Sequence, residues 1–456
     1  MCSSDLEESA LISINGKRIP VNPQSICVHG DNADAVATAQ AIRDGLLAAG
    51  YRVGLYTSPH LLKYNERVRI DGRDVSDEAL VEAFAEVERA RGEVPLTYFE
   101  HGTLAAWVAF SRAGLDAIIL EVGLGGRLDA VNVFEPDCAI VTSVAMDHMD
   151  FLGDTREAIG FEKAGIFRAG KQSICGDPEP PQTLVDHAGA IGAPLQRVGR
   201  DFAAIPEEGM LTWTFRGRDG AITGLPKPGL VGVCQLRNAA AALAVVESLK
   251  ASRPVARAAI ERGLVDVYLP GRFQVFPGRP TFVADVAHNP QAVAGLAENL
   301  DAMGCFTKTI AVVGMLADKD IAGALAALRG KIDVWLFAGL DVPRGAAAET
   351  LAALHRFEQI GVGAIGQLEV DRERGVEIGK GLERDGDAVV TFGGEPVEIR
   401  FSHDNSTNNC CNRRYDTALR GAGLIHGVYW QGRQGHASAQ NAGSSCRLSG
   451  VCFMRF

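Results

Sequence analysis

The feature that most constrains the fold of this chain is an alternation of short apolar strands with amphipathic helical stretches. It runs from about residue 46 to residue 393. The runs that we predict as strands are Ala117–Leu120, Cys138–Ser143, Thr281–Val286, Thr309–Gly314, Val334–Ala338 and Ala388–Phe392. Between two of them, apolar residues recur at i, i+3, i+4 and i+7, the spacing of one helix face. These residues are Val293, Leu296, Ala297 and Leu300. The alternation predicts an α/β architecture in which helices cover parallel sheets.

A break at Leu269-Pro270-Gly271 separates two blocks of this alternation. Because proline and glycine interrupt regular structure, we place a domain boundary here. The prediction is a larger domain over residues 46–269 and a smaller, Rossmann-like domain over residues 270–393. Residues 401–456 hold six Arg but neither Lys nor Glu, and they show little apolar periodicity. Such a segment buries too little apolar surface to offset its ordering entropy, so we expect residues 394–456 to form a disordered tail.

Charge and composition exclude several classes of protein. A net charge of -11 argues against non-specific nucleic-acid binding, which needs a basic face. No apolar run is long enough to span a bilayer. The opening residues, MCSSDLEES, have neither the positive charge nor the apolar stretch of a signal peptide. We therefore expect a cytoplasmic monomer that binds neither nucleic acid nor membrane, and whose cysteines are free thiols.

Four stretches of sequence carry a resemblance to a known family. They are GYRVGLYTSPHLLKYNERVRIDGR (50–73), LEVGLGGRLDAVNV (120–133), TSVAMDHMDFLGDTREAIGFEKAGIFR (142–168) and DVAHNPQA (285–292). In this order they resemble the dihydrofolate synthase/folylpolyglutamate synthase branch of the Mur ligase superfamily. Such enzymes use ATP to phosphorylate a carboxylate of dihydropteroate or a folate, and the amine of glutamate then displaces the phosphate. The resemblance implies a Mur-ligase-like ATPase domain, an ATP-dependent ligase activity and a need for Mg²⁺. Its implied partners are ATP, L-glutamate, and dihydropteroate or tetrahydrofolate.

The resemblance also assigns a metal site. Glu121 and His148 would bind Mg²⁺ and take part in catalysis. Lys163 resembles a carbamylated lysine, whose added carboxylate would hold a second Mg²⁺ and steady the substrate. Histidine is an unusual ligand for Mg²⁺, which prefers oxygen, so this role rests on the resemblance. The alternative is structural: Glu121 caps a loop, His148 is a satisfied loop residue, and Lys163 lies on the surface of a helix.

Two further sets of residues match the substrate contacts of the family. The residues matched to its ATP contacts are Gln235, Asn238, Arg272, Asp285 and His288. The residues matched to its folate-side loop are Ser58, Pro59 and His60. A guanidinium such as that of Arg272 suits phosphate, because it is always charged and forks onto two oxygens. The alternative for Arg272 and Asp285 is an ion pair between the two domains.

Residues 30–38 depart from the family. Where the family has the phosphate-binding loop A-G-T-N-G-K-G-S-T, this chain reads G-D-N-A-D-A-V-A-T. In such a loop, backbone N–H groups cradle the phosphates, the lysine reaches the β and γ oxygens, and the serine holds Mg²⁺. Here the lysine position is Ala35 and the serine position is Ala37, while Asp31 and Asp34 add repulsive charge. We expect this chain to make little or no acyl phosphate.

The N-terminal segment has a resemblance of its own. Residues 13–32, SINGKRIPVNPQSICVHGDN, resemble the C-terminal end of the LamB/YcsF family, the A subunit of 5-oxoprolinase. We therefore predict a chimera in which residues 1–45 replace the phosphate-loop region of a ligase. Three alternatives remain: a non-catalytic folate- or nucleotide-binding relic, a 5-oxoprolinase fragment, and a zinc-binding tail. The candidate zinc ligands are Cys410, Cys411, Cys446, Cys452, His403, His426 and His436.

Overall fold

The structure is a computed structural model. It describes residues 10–12, 18–20, 24–29, 33–209, 211–278, 280–340, 342–360, 388–392, 395–400, 422–424 and 450–455. The strands β1 to β21 are Ala10–Ile12, Arg18–Pro20, Gln24–His29, Val53–Tyr56, Val68–Ile70, Arg73–Asp74, Ala117–Glu121, Cys138–Val141, Gln172–Cys175, Leu195–Arg197, Ala203–Pro206, Thr212–Gly217, Gly220–Pro226, Gln274–Phe276, Thr281–Asp285, Thr309–Gly314, Val334–Phe337, Ala388–Phe392, Glu395–Arg400, Ala422–Leu424 and Gly450–Arg455. The helices α1 to α11 are Ala33–Ala48, Asp77–Arg91, Tyr98–Ser111, Met149–Leu152, Arg156–Ala164, Gln182–Ile191, Gln235–Ser248, Arg257–Asp266, Pro290–Ala302, Ile321–Ala327 and Ala348–Ile360.

A large sheet organises the first part of the chain. Its strand order is β10-β9-β8-β3-β7-β4-β5-β6. The six strands from β10 to β4 run parallel, and β5 and β6 continue the sheet antiparallel. In the register of the central strands, Val28 lies opposite Glu121 and His29 lies opposite Val141. The ends of β3, β7 and β8 therefore meet at one edge of the sheet, where open α/β sheets place their ligands.

The two faces of this sheet bury separate hydrophobic cores. Ile119 of β7 packs with the cluster that contains residues of α1, α7 and α8, whereas its neighbours Ile118 and Leu120 pack with the cluster that contains residues of α2, α3, α5 and α6. This division follows from the strand period of two, which sends successive side chains to opposite faces. Every residue of β7 and β8 is buried. Near-continuous apolar runs of this kind are typical of parallel strands covered on both faces.

A small antiparallel sheet adds to the first of these cores. Its strand order is β11-β12-β13, which the sequence analysis did not predict. Trp213 and Phe215 of β12 lie fully inside the cluster that also holds Ala240 and Val245 of α7. The sheet thus closes the outer side of α7.

A second sheet, of order β14-β15-β21-β16-β17, is formed by strands that follow residue 273. Between β15 and β16, α9 begins after Asn289, whose side chain accepts a hydrogen bond from the backbone N–H of Ala292. A proline at the first helical position supports this start. The apolar positions predicted to line one helix face are all buried, and they pack with both strands. The predicted helix is confirmed.

The strand β21 departs from the disorder that we expected for residues 394–456. It pairs antiparallel with β15 on one side and with β16 on the other. Its sequence, GVCFMR, is a short apolar run bounded by a glycine, which is typical of a buried strand. The rest of the tail lies largely outside the described residues, and the domain limits at 45, 269 and 393 stay predictions.

The remaining expectations about secondary structure are confirmed. All six predicted strands are present, with bounds that differ from the prediction by at most two residues. The α/β architecture follows from their arrangement. Within the described ranges, no helix is long and apolar enough to cross a membrane.

Candidate functional site

Glu121 ends β7 at the ligand-binding edge of the large sheet. Its side chain is buried, and its Oε2 atom accepts a hydrogen bond of 2.7 Å from the backbone N–H of Ser58. Burial raises the pKa of Glu121 to about 8, although this hydrogen bond and the charges of Arg272 and Arg67 lower it in part. A buried carboxyl of this kind is stabilised in its ionised form by a cation. Glu121 therefore suits a metal site better than a loop cap alone.

His148 lies in the loop that follows β8, at the same edge of the sheet. Its backbone adopts the left-handed conformation, with φ of 53°, and its side chain is exposed. The backbone N–H of His148 donates a hydrogen bond of 2.8 Å to Oδ1 of Asp147. Non-glycine residues held in this conformation cluster at functional sites. The observation supports a functional role for His148.

Lys163 lies in the last turn of α5, and its side chain is fully buried. The alternative that it is a surface lysine is therefore wrong. Its Nζ atom contacts Nε2 of His29, the residue that ends β3. Burial, and then the charges of Lys163 and His148, hold the pKa of His29 well below its ordinary value. The buried Nδ1 atom of His29 has no hydrogen-bond partner among the described residues.

The glycines of the turn after β7 allow close packing against neighbouring residues. A Cβ atom at Gly123 would lie 2.5 Å from the ring of Phe99, and one at Gly126 would lie 2.8 Å from the carbonyl oxygen of Glu162. Gly125 has φ of 68°. Because Gly126 touches the backbone beside Lys163, the turn fixes the end of α5 against the sheet. These glycines are explained by close packing and do not form a dinucleotide loop.

A cavity of about 270 Å³ opens beside Ser58, the residue whose backbone N–H bonds to Glu121. Ser58 and Pro59 line it from the loop after β4, Arg272 lines it from the segment between the two sheets, and Val36 and Gln40 line it from α1. Two of the predicted folate-side residues thus share one cavity with the predicted phosphate-binding arginine. The size and mixed lining are those of a small-molecule site.

His60, unlike Ser58 and Pro59, does not line this cavity. Its Nδ1 atom accepts a hydrogen bond of 2.8 Å from Nε of Arg67, and both side chains are buried. The guanidinium of Arg67 lies 5.4 Å from the ring centroid of Tyr64 and 5.6 Å from that of Tyr98. Burial, and then the charge of Arg67, lower the pKa of His60. A neutral His60 positions Arg67, whose charge also acts on Glu121.

Arg272 and Asp285 lie where the two sheets meet. The carboxylate of Asp285 accepts hydrogen bonds of 2.7 Å from the backbone N–H groups of Phe273 and Ala287. Phe273 has φ of 41°, so this carboxylate holds a strained residue beside Arg272. Burial raises the pKa of Asp285, and the charge of Arg272 lowers it. The same charge lowers the pKa of Glu121, so Arg272 acts on a carboxyl of each domain.

The structure brings His288 to a polar cluster that the sequence analysis missed. Oδ1 of Asp147 accepts a hydrogen bond of 3.0 Å from Nζ of Lys319, and Oδ2 accepts one of 3.1 Å from the amide of Asn289. Nε2 of His288 lies 3.9 Å from Oδ2 of Asp147. The sequence could have indicated Asp147 and Asn289, because they lie directly next to His148 and His288 in the quoted motifs. Lys319 belongs to the segment GMLADKD, which begins at the last residue of β16.

Electrostatics favour an ionised Asp147 in this cluster. Burial raises the pKa of Asp147, but the charges of His148 and Lys319 and the hydrogen bonds from Lys319 and Asn289 outweigh that effect and leave it lowered. Burial also lowers the pKa of His288, whose Nδ1 atom lies 2.9 Å from the carbonyl oxygen of Val286. The cluster therefore pairs one carboxylate with one ammonium and a neutral imidazole.

Gln235 and Asn238 lie apart from the larger cavity. They occupy the first turn of α7, both side chains are buried, and Nδ2 of Asn238 donates a hydrogen bond of 3.2 Å to Oε1 of Gln235. They line a second cavity of only about 10 Å³, which Ala37 also lines. The structure thus places the predicted adenine-side residues beside α1, without a space that would hold a base.

The segment that should grip phosphate is folded into a helix. Of residues 30–38, the structure describes residues 33–38, and α1 begins at Ala33. Ala35 is fully buried in the same core as Ile26 and Val28. Ala37 is buried against Leu230 and Val267. The positions matched to the lysine and serine of the family therefore face packed apolar side chains.

No group of three or more His, Cys, Asp or Glu side chains in the described part of the chain could hold a metal ion. The predicted metal ligands are Glu121, His148 and, if it is carbamylated, Lys163, so an ion bound by the unmodified chain would need further oxygen donors from water or a substrate. The predicted zinc ligands of the tail have side chains outside the described residues.

Comparison with known families divides the chain. Residues 78–179 match the Mur ligase middle domain, and residues 271–394 match the family described as Mur ligase, glutamate ligase domain. Residues 2–60 match the LamB/YcsF family. The chain thus joins a start related to one family to a body related to another, as the predicted chimera requires. The LamB/YcsF match continues past the predicted boundary at residue 45.

Individual proteins extend the match. The dihydrofolate synthase/folylpolyglutamate synthase of Escherichia coli strain K12 is 44% identical over 346 residues, which are 76% of this chain and 80% of that protein. The folylpolyglutamate synthase of Lacticaseibacillus casei is 35% identical over 73% of this chain and 82% of its own length.

Solved structures agree with these relatives. The structure of E. coli FolC in complex with DHPP and ADP has a TM-score of 0.70 and 45% identity, covering 73% of this chain and 78% of that one. A bifunctional folylpolyglutamate synthase/dihydrofolate synthase of Yersinia pestis, complexed with AMPPNP and Mn ion, has a TM-score of 0.68 and 46% identity, covering 73% of this chain and 78% of that one.

Fold and site together define a protein of the Mur ligase type, with a parallel-sheet ATPase-like domain followed by a smaller Rossmann-like domain. Within that class, the chain belongs to the dihydrofolate synthase/folylpolyglutamate synthase family, whose members are ATP-dependent ligases.

Proposed function

We propose that the body of this chain is built to add L-glutamate to dihydropteroate, to folyl-polyglutamate, or to both, through an acyl phosphate formed with ATP. The observation that carries the proposal is the buried carboxyl of Glu121 at the ligand edge of the sheet, which is bonded to the backbone of Ser58, a residue that lines a cavity together with Arg272. Relatives crystallised with ADP, AMPPNP, DHPP and L-glutamate support the same substrates. We also propose that the protein is a cytoplasmic monomer. Light scattering after size-exclusion chromatography measures its molar mass and so tests the oligomeric state.

The chain's own residues fit a divalent cation in part. Glu121 supplies an oxygen ligand whose ionised form needs a positive neighbour, and His148 would supply a nitrogen ligand on the adjoining loop. A bound Mg²⁺ would neutralise charge on the transferring phosphoryl group. Arg272 lines the cavity and would act on the same charge. Lys163 would hold the second ion only as a carbamate, and it would act as a cation in its unmodified form.

Substrate positioning falls to residues around the larger cavity. Ser58 and Pro59 would contact the folate, and the hydrogen bond from Ser58 to Glu121 would couple that contact to the metal. Gln235 and Asn238, in the first turn of α7, would take part in ATP binding. Asp285 holds the segment that carries Arg272, and His288 would contact the nucleotide from the smaller domain.

We further propose that this chain has lost most of its phosphoryl-transfer activity. Ala35 and Ala37 face the core, and neither can reach a phosphate. This observation favours a second candidate function, that of a non-catalytic protein that still binds folate or nucleotide. A third candidate, 5-oxoprolinase activity, has only the match of residues 2–60 in its favour.

Two measurements on the purified full chain separate these candidates. The first is ADP release that depends on both dihydropteroate and glutamate, and the second is calorimetric binding of ADP and of dihydropteroate. Binding without turnover supports the relic, and turnover near one per second, the low end of ordinary enzymes, contradicts the loss of activity. Hydrolysis of 5-oxoproline with ATP would support the third candidate.

A further inference from the structure

The Asp147 cluster joins the two halves of the molecule. Asp147 belongs to the loop after β8 of the large sheet, whereas Asn289 caps α9 and Lys319 precedes α10 around the smaller sheet. Each oxygen of the carboxylate accepts a hydrogen bond from a different one of these two residues. The loop after β8 is thereby bonded to the smaller domain at two points.

Burial makes these contacts costly to break from one side. The side chains of Asp147 and Lys319 are 7% and 10% exposed, and Asn289 is 4% exposed. An ion pair removed from water in this way is screened little by salt, and removal of one partner leaves the other charge buried and uncompensated. The cluster therefore differs from the exposed ion pairs of the chain, such as that between Lys331 and Asp301.

The same carboxylate also shapes the candidate metal loop. Oδ1 of Asp147, which binds Lys319, also accepts the backbone N–H of His148. His148 is held there in the left-handed conformation. A shift of Lys319 with the smaller domain would consequently move the backbone of His148.

We propose that Asp147 is a positioning residue that latches the smaller domain to the larger one and sets the conformation of His148 through that latch. The proposal rests on the proposed function, because a positioned His148 matters only at a metal site. It predicts that the metal loop of the larger domain responds to a substitution in the smaller domain.

Hydrogen–deuterium exchange on the full chain, without ligands, tests the latch directly. The variants are Asp147→Asn, Lys319→Met and their combination, and the matched controls are Asp301→Asn and Lys331→Met. We expect amides of residues 145–149 to exchange about tenfold faster in Lys319→Met, and the double variant to exchange no faster than the single ones. Amides of β7 and β8 should be unchanged, since the core itself does not depend on the latch.

A second readout separates positioning from a local structural role. We expect Lys319→Met to weaken Mn²⁺ binding about tenfold by electron paramagnetic resonance, with Lys319→Arg restoring most of it because the charge is kept. If Lys319→Met exchanges like Lys331→Met at residues 145–149, the latch is refuted.

Where Asp147→Asn fails to fold, Asn289→Ala takes its place and should give a smaller rise in exchange. Absence of Mn²⁺ binding in the unsubstituted chain would contradict the metal site, while the exchange experiment would still decide the latch.

Discussion

Two regions at the same edge of the large sheet differ in the side chains that they present. One region, the metal side, comprises the ends of β7 and β8 and the last turn of α5, and it presents Glu121, His148 and Lys163. The other region, the phosphate side, comprises the end of β3 and the start of α1. It presents Ala35 and Ala37 to the core. The metal side carries a buried carboxyl and a buried amine, whereas the described part of the phosphate side carries two buried alanines at the positions matched to the lysine and serine of the family.

The fold and the chemistry place unequal demands on the residues at this edge of the sheet. β3 pairs with both β7 and β8 through its backbone, and Ile26 and Val28 fill the core, so an unrelated strand of similar hydrophobicity can take this place. A phosphate loop instead needs glycines, a lysine and a serine in register. Function depends on particular side chains at a site, and a fold can persist after they have gone.

The largest expected effect comes from restoring the phosphate side. Replacing residues 30–38 with A-G-T-N-G-K-G-S-T should raise ADP release dependent on dihydropteroate and glutamate by about 100-fold or more, because each lost preorganised donor costs roughly 10²–10³ in rate. The measurement is coupled ADP release. The control is the same graft with alanine kept at position 35, which lacks only the lysine and should give little gain. Equal rates for the graft and the unsubstituted chain would show that the phosphate side is not what limits activity.

The metal side should lose most of its affinity for a divalent cation when its carboxylate is removed. We expect Glu121→Ala to weaken Mn²⁺ binding by about 100-fold or more, since Glu121 is the carboxylate ligand of the predicted metal site. Calorimetric titration measures the affinity. The matched control is Glu135→Ala, at an exposed glutamate paired with Arg168. Affinity that survives Glu121→Ala would move the metal site elsewhere and remove one half of the comparison.

A lysine placed singly on the phosphate side should destabilise the protein. Ala35 is fully buried among apolar side chains, so Ala35→Lys buries an amine without a partner. We expect the free energy of unfolding to fall by about 3 kcal/mol or more. Urea denaturation measures it, with Ala48→Lys at the partly exposed end of the same helix as the control. A loss no greater than that of the control would mean that position 35 opens toward solvent.

The metal side should also show a pH dependence. Without metal, Glu121 is protonated in the folded protein up to about pH 8, but its ordinary pKa is 4.5. Its contribution to stability is therefore complete below about pH 4.5 and is lost progressively as the pH rises toward 8, by at most about 1.4 kcal/mol per pH unit. Glu121→Gln should flatten this decline in urea denaturation across that range. Parallel pH profiles for the two proteins would contradict a raised pKa for Glu121.

The sequence predicted the elements of the fold better than their assembly. The strands and the helix α9 follow from local apolar periodicity, which the tertiary structure left intact. The sheet of β11, β12 and β13 was missed because its strands carry no long apolar run. For β21, pairing with two distant strands outweighed the polar composition of the surrounding tail.

The candidate site divides in the same way. The sequence by itself determined the class of fold, the order of the motifs and the identity of Glu121, His148 and Lys163 as the residues to examine, because these depend on local pattern and on resemblance. Only the tertiary structure decided that Lys163 contacts His29, and that Asp147 bonds across to Lys319. It also decided that position 35 lies in the core. The physical reason is that burial and contact between residues far apart in the chain depend on how the helices and strands pack, which no local spacing specifies.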